Sequence, residues 1–432
     1  MSLSSYARLI RTNRNFRLLW LAQIVSEMGD WFYSVAIFSF LLQLTGSAQV
    51  VAFAFLMQVF PQVLMSPTAG VLNDHLSRKK LMISADLARA VIVISMMLVR
   101  SRDHLWLLFL LLALETVCWA VFEPGSRAVI PNVTSLEEIP VANAISAATW
   151  SVNFALGAAL GGIVDVTFGR NTVFVLDSLS FLASAALISR MRFTEPHAEN
   201  RKGLAFRDLF DFSPISEGFA YVKRDVRLIA SMSIKAGIGL MGANWVIIPI
   251  LGRNIFPLQI AGMTSEQAGT LGMSALFAAR GIGAVVGAFF AGLSSGTDET
   301  RLRRSVTIAF LAAAIGYLLV GIAGSLLVAA LALVLAHAGG SAGWTASTTL
   351  LQQQTEDKFR GRVFSTEFAF SMLILSIVSF GAGELNDRGV DVRTLAMITG
   401  GLMLGAVIIW LAAQRFWKSA AISSREGGPT RS

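Results

Sequence analysis

Four ionisable residues stand out for where they fall in the chain. Glu27, Asp30, Arg89 and Glu115 lie inside long apolar stretches, where a charge costs at least ~2.5 kcal/mol at the centre of a bilayer and is therefore expected to serve a purpose. Glu27 and Asp30 are three residues apart and share one face of a helix. At the helical rise per residue, Asp30 lies roughly 18 Å into the first apolar run and Arg89 roughly 14 Å into the third. Glu115 falls at a similar depth in the fourth. Three carboxylates against one guanidinium leave an excess of acid, so one carboxylate is expected to take up and release a proton. Asp30 or Glu27 is the expected carrier, with Arg89 tuning it and Glu115 sharing the cluster. The plainer alternative is a static buried ion network.

The elements that must position these residues follow from composition. Of the 432 residues, 54% are hydrophobic and only 14% are charged, and the mean hydropathy is +0.64. A soluble chain carries roughly 25% charged residues; this chain has too few to cover a soluble domain of its size, and disorder requires the opposite composition. Continuous rather than alternating apolar runs exclude membrane strands. Twelve spans are expected, at 18–43, 48–72, 80–99, 105–127, 141–166, 172–190, 228–252, 266–294, 305–323, 325–350, 363–385 and 393–414. The first run is too long for the core of a signal peptide and is expected to be retained. The fold class is an all-α polytopic membrane protein with two pseudo-symmetric six-helix bundles, residues 1–191 and 228–418. A linker at 192–227 with short amphipathic helices joins them, and a tail follows at 419–432. A weak internal repeat relates Pro131–Asn143 and Gly157, Gly161 and Gly162 to Gln352–Val363 and Gly381 and Gly383.

The basic residues are sorted. One side collects Arg8, Arg11, Arg14 and Arg17, the Arg78-Lys79-Lys80 run, the linker, Arg301, Arg303, Arg304, Lys358, Arg360 and Arg362. The other holds only Arg100, Arg102, Arg170, Arg253, Arg388 and Arg393. Positive loops mark the cytoplasmic side, so both termini are expected there, in a bacterial inner membrane. The same rule accounts for the net charge of +8 without nucleic acid as a partner.

Other chemistries find no support. There is no phosphate-binding G-x-x-x-x-G-K-[ST] loop and no His-Glu-x-x-His zinc pattern. The lone Cys118 sits in an apolar run and is expected to pack as a small hydrophobe. His75, His104, His197 and His337 are scattered. No nucleophile, base and metal are assembled, so neither an enzyme nor a cofactor is expected.

The stretch Gly70-Val71-Leu72-Asn73-Asp74-His75-Leu76-Ser77-Arg78-Lys79-Lys80 closes the second span and opens the third. It resembles the signature of the major facilitator superfamily, G-x-L-a-D-r-x-G-r-(K/R), with Ser77 in place of the second glycine. Gly70 is expected to let two helices approach closely. Asp74 is expected to accept from a helix amino terminus, and Arg78, with Lys79 beside it, to clamp Glu123. The simpler role for Arg78 to Lys80 is as basic anchors. Met28-Gly29-Asp30-Trp31, Asp86-Leu87-Ala88-Arg89-Ala90, Asp177-Ser178-Leu179-Ser180-Phe181, Pro131 to Asn143 and Gly361-Arg362-Val363 resemble one branch, which contains macrolide efflux proteins, the enterobactin exporter and multidrug antiporters. Gly157-x-x-x-Gly161-Gly162 partly resembles the motif of drug:proton exchangers, without its proline; close helix packing is the other reading.

The resemblance implies a monomeric secondary transporter in the lipid bilayer that works by rocking of two bundles. It would export amphipathic drugs, macrolides or siderophore-like metabolites as small-molecule substrates, with protons as the coupling ion. A lysophospholipid or nutrient carrier, or a transport-inactive receptor on the same fold, are the alternatives. Lys235 and Arg280 lie within apolar runs without acidic neighbours in sequence, so they are expected to face the cavity or to pair across the halves. Trp31, Asn244 and Trp245 complete the expected substrate cavity, since aromatic faces suit large apolar or cationic ligands. Phe32, Phe38, Phe53, Trp119, Trp150 and Trp344 are read as ordinary packing. Glu367 is expected to be a helix-start carboxylate.

Overall fold

The computed structural model describes residues 3–195, 213–223, 225–294, 298–356 and 359–426. They form helices α1 (Leu3–Thr12), α2 (Arg14–Thr45), α3 (Ala48–His75), α4 (Arg78–Ser95), α5 (Leu105–Val133), α6 (Ile139–Phe168), α7 (Arg170–Ser189), α8 (Ser213–Val222), α9 (Val226–Gly239), α10 (Asn244–Ile250), α11 (Ser265–Ser294), α12 (Glu299–Ile322), α13 (Leu326–Gln354), α14 (Arg360–Asp387) and α15 (Val392–Glu426). No strand occurs among the described residues. Among the described residues, eleven spans are long and apolar enough to cross a membrane. The remaining expected span, α2, has 32 residues. It is long enough to cross, but Gln23, Glu27 and Asp30 dilute its hydropathy. The all-helical polytopic class therefore stands, with close to twelve spans.

Local sequence explains where the helices break. Gly46, at φ 70°, ends α2 with its N–H on Leu42 O, a left-handed position that glycine adopts without steric cost. Ser47 then caps α3 by accepting from Val50 N, and Ser325 and Asp298 cap α13 and α12 in the same way. The seventh span departs from the single helix expected. It runs as α9, a 3-10 turn at Leu240–Ala243, α10 with Pro249 inside, and a π turn at Leu251–Ile255. Two further extents differ from expectation. The helix α5 continues to Val133 through Pro124 and Pro131, which membrane helices tolerate because neighbours re-satisfy freed backbone groups. The helix α15 runs to Glu426, into the stretch expected as a tail. Residues 196–212 of the expected linker lie outside the described residues; the stretch that follows forms α8.

The chain divides into two compact units. The first comprises Met1–Asp211, Ile248–Ile282 and Ala382–Arg388; the second comprises Phe212–Ile247, Gly283–Gly381 and Gly389–Ser432. In the first unit α2 packs on α6 and α7, α3 on α5, and α4 on α5 and α7. In the second, α12 packs on α13 and α15, and α9 on α13 and α15. The pairings of the third span with the fourth and sixth thus recur as the ninth with the tenth and twelfth, and the first with the sixth recurs as the seventh with the twelfth. Large apolar side chains such as Trp106, Phe289 and Ile408 are exposed, as lipid-facing residues must be. The amphipathic α1, not anticipated from sequence, tucks Leu9 against Phe16 and Leu19.

Small residues set how closely the helices approach. A side chain at Gly161 would meet the Phe32 backbone, with Cα at 2.6 Å, and one at Gly157 would meet Trp31 Cβ at 2.6 Å. The stripe on α6 therefore brings α2 into near-backbone contact. Gly70 behaves otherwise: a Cβ there meets nothing within 4 Å, so it does not serve the close helix approach expected of it. Gly161→Ala should accordingly cost about 1–3 kcal/mol by overpacking, whereas Gly70→Ala should be neutral or add up to about 1 kcal/mol by lowering backbone freedom. Thermal unfolding of the detergent-solubilised variants measures both; equal effects would contradict this packing.

Candidate functional site

One buried guanidinium organises the first unit. Arg89 on α4 is 1% exposed. Its Nε donates to Glu115 Oε1 at 2.7 Å and its Nη2 to Asp30 Oδ1 at 2.6 Å, while Nη1 lies 3.6 Å from Asp86 Oδ1. Its flat face rests 4.0 Å above the Phe181 ring. Tyr33 donates to the other Glu115 oxygen at 3.2 Å. Asp177 on α7 receives a bond from Ser180 Oγ and lies against Gly29, where any side chain would collide with it. Gly29 thus makes room for a carboxylate beside Asp30.

The expected group of Asp30, Arg89 and Glu115 is therefore assembled, and two further acids join it. Asp86 and Asp177 are both fully buried, and neither Asp86 oxygen nor Asp177 Oδ2 has a hydrogen-bond partner. Sequence reasoning quoted both only as parts of a resemblance. The available signals were the three-residue spacing of Asp86 from Arg89, which places them on one helix face, and the position of Asp177 within an apolar run. Four carboxylates round one cation form a centre that can carry and pass protons, because ionised acids without partners are too costly to bury. Asp30 is the member that reaches outward, with a side chain 19% exposed.

Glu27 stands one turn before Trp31 and outside the contacts of Arg89. It accepts from Gln23 Nε2 at 2.9 Å and Asn153 Nδ2 at 3.1 Å. The expected cavity residues fall into separate groups. Trp31 and Arg280 meet around Phe154 in the first unit: the Trp31 ring is 4.1 Å from Phe154, and the Arg280 guanidinium lies 4.4 Å above it. Trp150, read from sequence as ordinary packing, joins them at 6.0 Å from Trp31. Asn244 and Trp245 begin α10 in the second unit, both buried, with Asn244 Nδ2 on Met241 O. A cavity of roughly 530 Å³ lined by Ser39, Asp165, Arg170, Arg253 and Glu266 includes none of the five.

Lys235 has a partner that its sequence surroundings conceal. Its Nζ bonds Glu367 Oε2 at 2.7 Å and lies 4.4 Å from the Trp344 ring, and Ser347 donates to Glu367 Oε1. Glu367 is fully buried, seven residues inside α14. It is an ion-pair partner rather than a helix-start carboxylate, because the helix begins at Arg360, before the apolar run does.

The loop signature also acts differently from expectation. Glu123 bonds Arg127, one turn along α5, at 2.6 Å. Arg78 instead donates to Asn73 O and Ala128 O at 3.1 and 3.0 Å, with Asp74 3.7 Å away. The α4 terminus is capped by Ser77, which accepts from Lys80 N, and by Glu195, which accepts from Ser77 Oγ and Lys79 N, so the highly exposed Asp74 is not the cap. Lys79 Nζ donates to Ser189 O and Met191 O at the end of α7, satisfying terminal carbonyls. Asn73, unremarked in sequence, ties α3 to α5 through Val121 O. The loop is an end clamp for α3, α4, α5 and α7.

Two measurements check these contacts. Arg89→Leu should destabilise the protein by about 3–5 kcal/mol at alkaline pH, the cost of unpaired buried charge, and by less at acidic pH, where protons neutralise the carboxylates. Thermal unfolding across pH reads this, and a loss independent of pH would contradict it. A double-mutant cycle on Arg78 and Glu123 should give a coupling near zero, since each has other partners; a coupling above about 0.5 kcal/mol would restore the direct pair.

Comparison with known proteins places this frame. The family model described as transmembrane secretion effector matches residues 3–430. The uncharacterized MFS-type transporter YfiS of Bacillus subtilis (strain 168) is 26% identical over 294 residues, covering 66% of this chain and 68% of that protein. Macrolide efflux protein A of Streptococcus pyogenes is 24% identical over 245 residues, covering 56% of this chain and 58% of that protein, so the chain spans a little over half that relative's length. The crystal structure of the nucleoside transporter NupG superposes with a TM-score of 0.69 at 10% identity, covering 92% of this chain and 98% of that one, which shows a common fold. With the family model matched along nearly the whole chain, the protein belongs to the transmembrane secretion effector family of the major facilitator superfamily, whose members are membrane transporters and not enzymes.

Proposed function

We propose that this transporter is a proton-coupled exporter of amphipathic small molecules such as drugs, macrolides or siderophore-like metabolites. It works by alternating access in a bacterial inner membrane, as a monomer with both termini in the cytoplasm. The observation that carries the reading is the Arg89 centre, in which one buried guanidinium meets Asp30, Asp86 and Glu115 and a fourth buried carboxylate, Asp177, lies against Gly29. A purely structural network gains nothing from the surplus, because each unpaired buried charge destabilises the fold. A centre that exchanges protons requires it.

The proposed cycle follows from the contacts. Asp30 receives a proton at its partly exposed oxygen and loosens from Arg89 Nη2. Arg89 then leans on Glu115 and Asp86, which already flank it. Loss of the proton on the other side of the membrane restores the Asp30 bond. The two states differ in charge at α2, the helix that also presents Glu27 and Trp31 to the substrate. Proton occupancy and substrate occupancy are thereby linked through one helix. The efflux relative supports the outward direction, and the sorting of basic residues supports the orientation.

The test is transport into proteoliposomes under an imposed pH gradient, with fluorescent cations, macrolides and a siderophore as candidate substrates. Asp30→Asn should reduce gradient-driven transport to the level of empty vesicles while substrate exchange without a gradient persists. Wild-type pH dependence in that variant would overturn the assignment of Asp30.

A further inference from the structure

Two arginines and two acids line one cavity of the first compact unit without pairing with one another. The cavity, of roughly 530 Å³, lies where α2 and α6 end and α7 and α11 begin. Asp165 and Arg170 reach it from the corner between α6 and α7, Arg253 from the π turn and Glu266 from the first turn of α11. Among the described residues no ion pair joins any two of these four. Opposite charges in one cavity attract, and other contacts hold these apart. Arg253 Nη1 donates to Ser39 O at 2.9 Å. The Arg170 guanidinium carbon lies 3.5 Å from the centre of the Phe40 ring, with Nη2 3.4 Å from Val99 O. Glu266 Oε2 accepts from Gln43 Nε2. The half-buried Asp165 carboxylate accepts no hydrogen bond among the described residues.

The backbone fixes these positions. Gly169, at φ 82°, turns the chain between α6 and α7 with its N–H on Asp165 O at 2.8 Å. Asp165 and Arg170 therefore flank one corner. The π turn at Leu251–Ile255 displaces Arg253 from the helical path, and such turns recur at functional sites. Gly252 lies against the Met273 backbone, where an added Cβ would be 2.3 Å from Cα. Gly269 leaves room for the Arg253 side chain, whose Cγ would be 3.0 Å from a Cβ there. The charges thus stand apart before anything binds, so a ligand has no ion pair to break on entering.

We infer that this cavity binds a zwitterion, with an acidic group on Arg253 and Arg170 and an ammonium group on Asp165 and Glu266. Two cations and two anions balance, so a ligand ionised at both ends answers all four. A lone cation or a lone anion leaves one pair unanswered. Phe40, Val166 and Phe168 supply an apolar wall for the body of the molecule, and the volume falls in the range of about 300–1,000 Å³ usual for small-molecule sites. The chemistry is that of a free amino acid or peptide, and equally of an ethanolamine phospholipid headgroup. In the orientation proposed above the cavity lies at the outer side of the membrane. Its place on the exit path, and a zwitterionic class of substrate, rest on the exporter reading; binding itself does not.

The test is equilibrium dialysis of the full-length protein in detergent against radiolabelled Ala-Phe dipeptide, its carboxyl amide, its N-acetyl form and glycerophosphoethanolamine. The free dipeptide should bind about tenfold more tightly than either blocked form, the effect of losing one charge-assisted contact. Arg253→Gln should remove the preference over the amide and keep that over the acetylated form; Asp165→Asn should do the reverse. Each ratio is read within one variant, so partial loss of folded protein does not move it. Tighter binding of glycerophosphoethanolamine than of the dipeptide would support the site with a phospholipid headgroup as its occupant, and would overturn its place on the exit path. Equal binding of the three dipeptide forms, no binding of dipeptide or headgroup, or ratios unchanged in either variant would overturn the inference. The readout involves no proton gradient, so failure here leaves the coupling role of Asp30 standing, and failure of coupling leaves the cavity's ligand standing.

Discussion

The structure of the first unit depends on one fully buried guanidinium, that of Arg89. Arg89 draws α2, α4 and α5 together through Asp30, Asp86 and Glu115, and Phe181 of α7 lies against its flat face. In water such contacts would contribute little. In a dry interior each is strong, and the absence of any one is costly. The helices are long and apolar enough to insert separately, but their register is pinned where the guanidinium meets its acids. The small residues then follow as a consequence: Gly29 admits Asp177, while Gly157 and Gly161 admit Trp31 and Phe32.

The two halves of the sequence use related but unequal devices. Among the described residues the second carries one buried pair, Lys235 with Glu367, supported by Ser347 and Trp344. One cation and one anion balance there, so that pair needs no proton to be buried. The first half has the surplus of acid. In the proposed cycle this asymmetry places proton handling in the first half and a holding role in the second, although the helix pairings of the two halves repeat. The end clamp made by Arg78, Lys79 and Glu195 lies in the first unit. It joins four helix ends, through backbone carbonyls that accept from Arg78 and Lys79 and through the Glu195 carboxylate at the start of α4.

Much of the fold was legible because the bilayer imposes it. Continuous apolar runs can only be helices there, and their order matches the structure, as do most of their bounds to within a few residues, with the carboxyl-terminal ends of α5 and α15 as the clear departures. The depth of Asp30, Arg89 and Glu115 was legible for the same reason, since the rise of a helix is fixed. Partners contributed by distant helices were not. Lys235 and Glu367 are 132 residues apart, and nothing local links them. Asp177 needed the position of Gly29 to reveal its place, and Glu123 found a nearer arginine than the one expected. The break in the seventh span was hidden because Gly239, Gly242 and Pro249 lie in an otherwise uninterrupted apolar run.

The central claim is that substrate and proton occupancy exclude one another across the Arg89 centre. It is tested most directly by counting protons when substrate binds to the purified protein in weakly buffered detergent solution, at a series of pH values. Linkage predicts release approaching about one proton per substrate on the acidic side, where the centre is loaded, and declining towards none as the pH rises. Saturable substrate binding with no proton released at any pH would contradict the account.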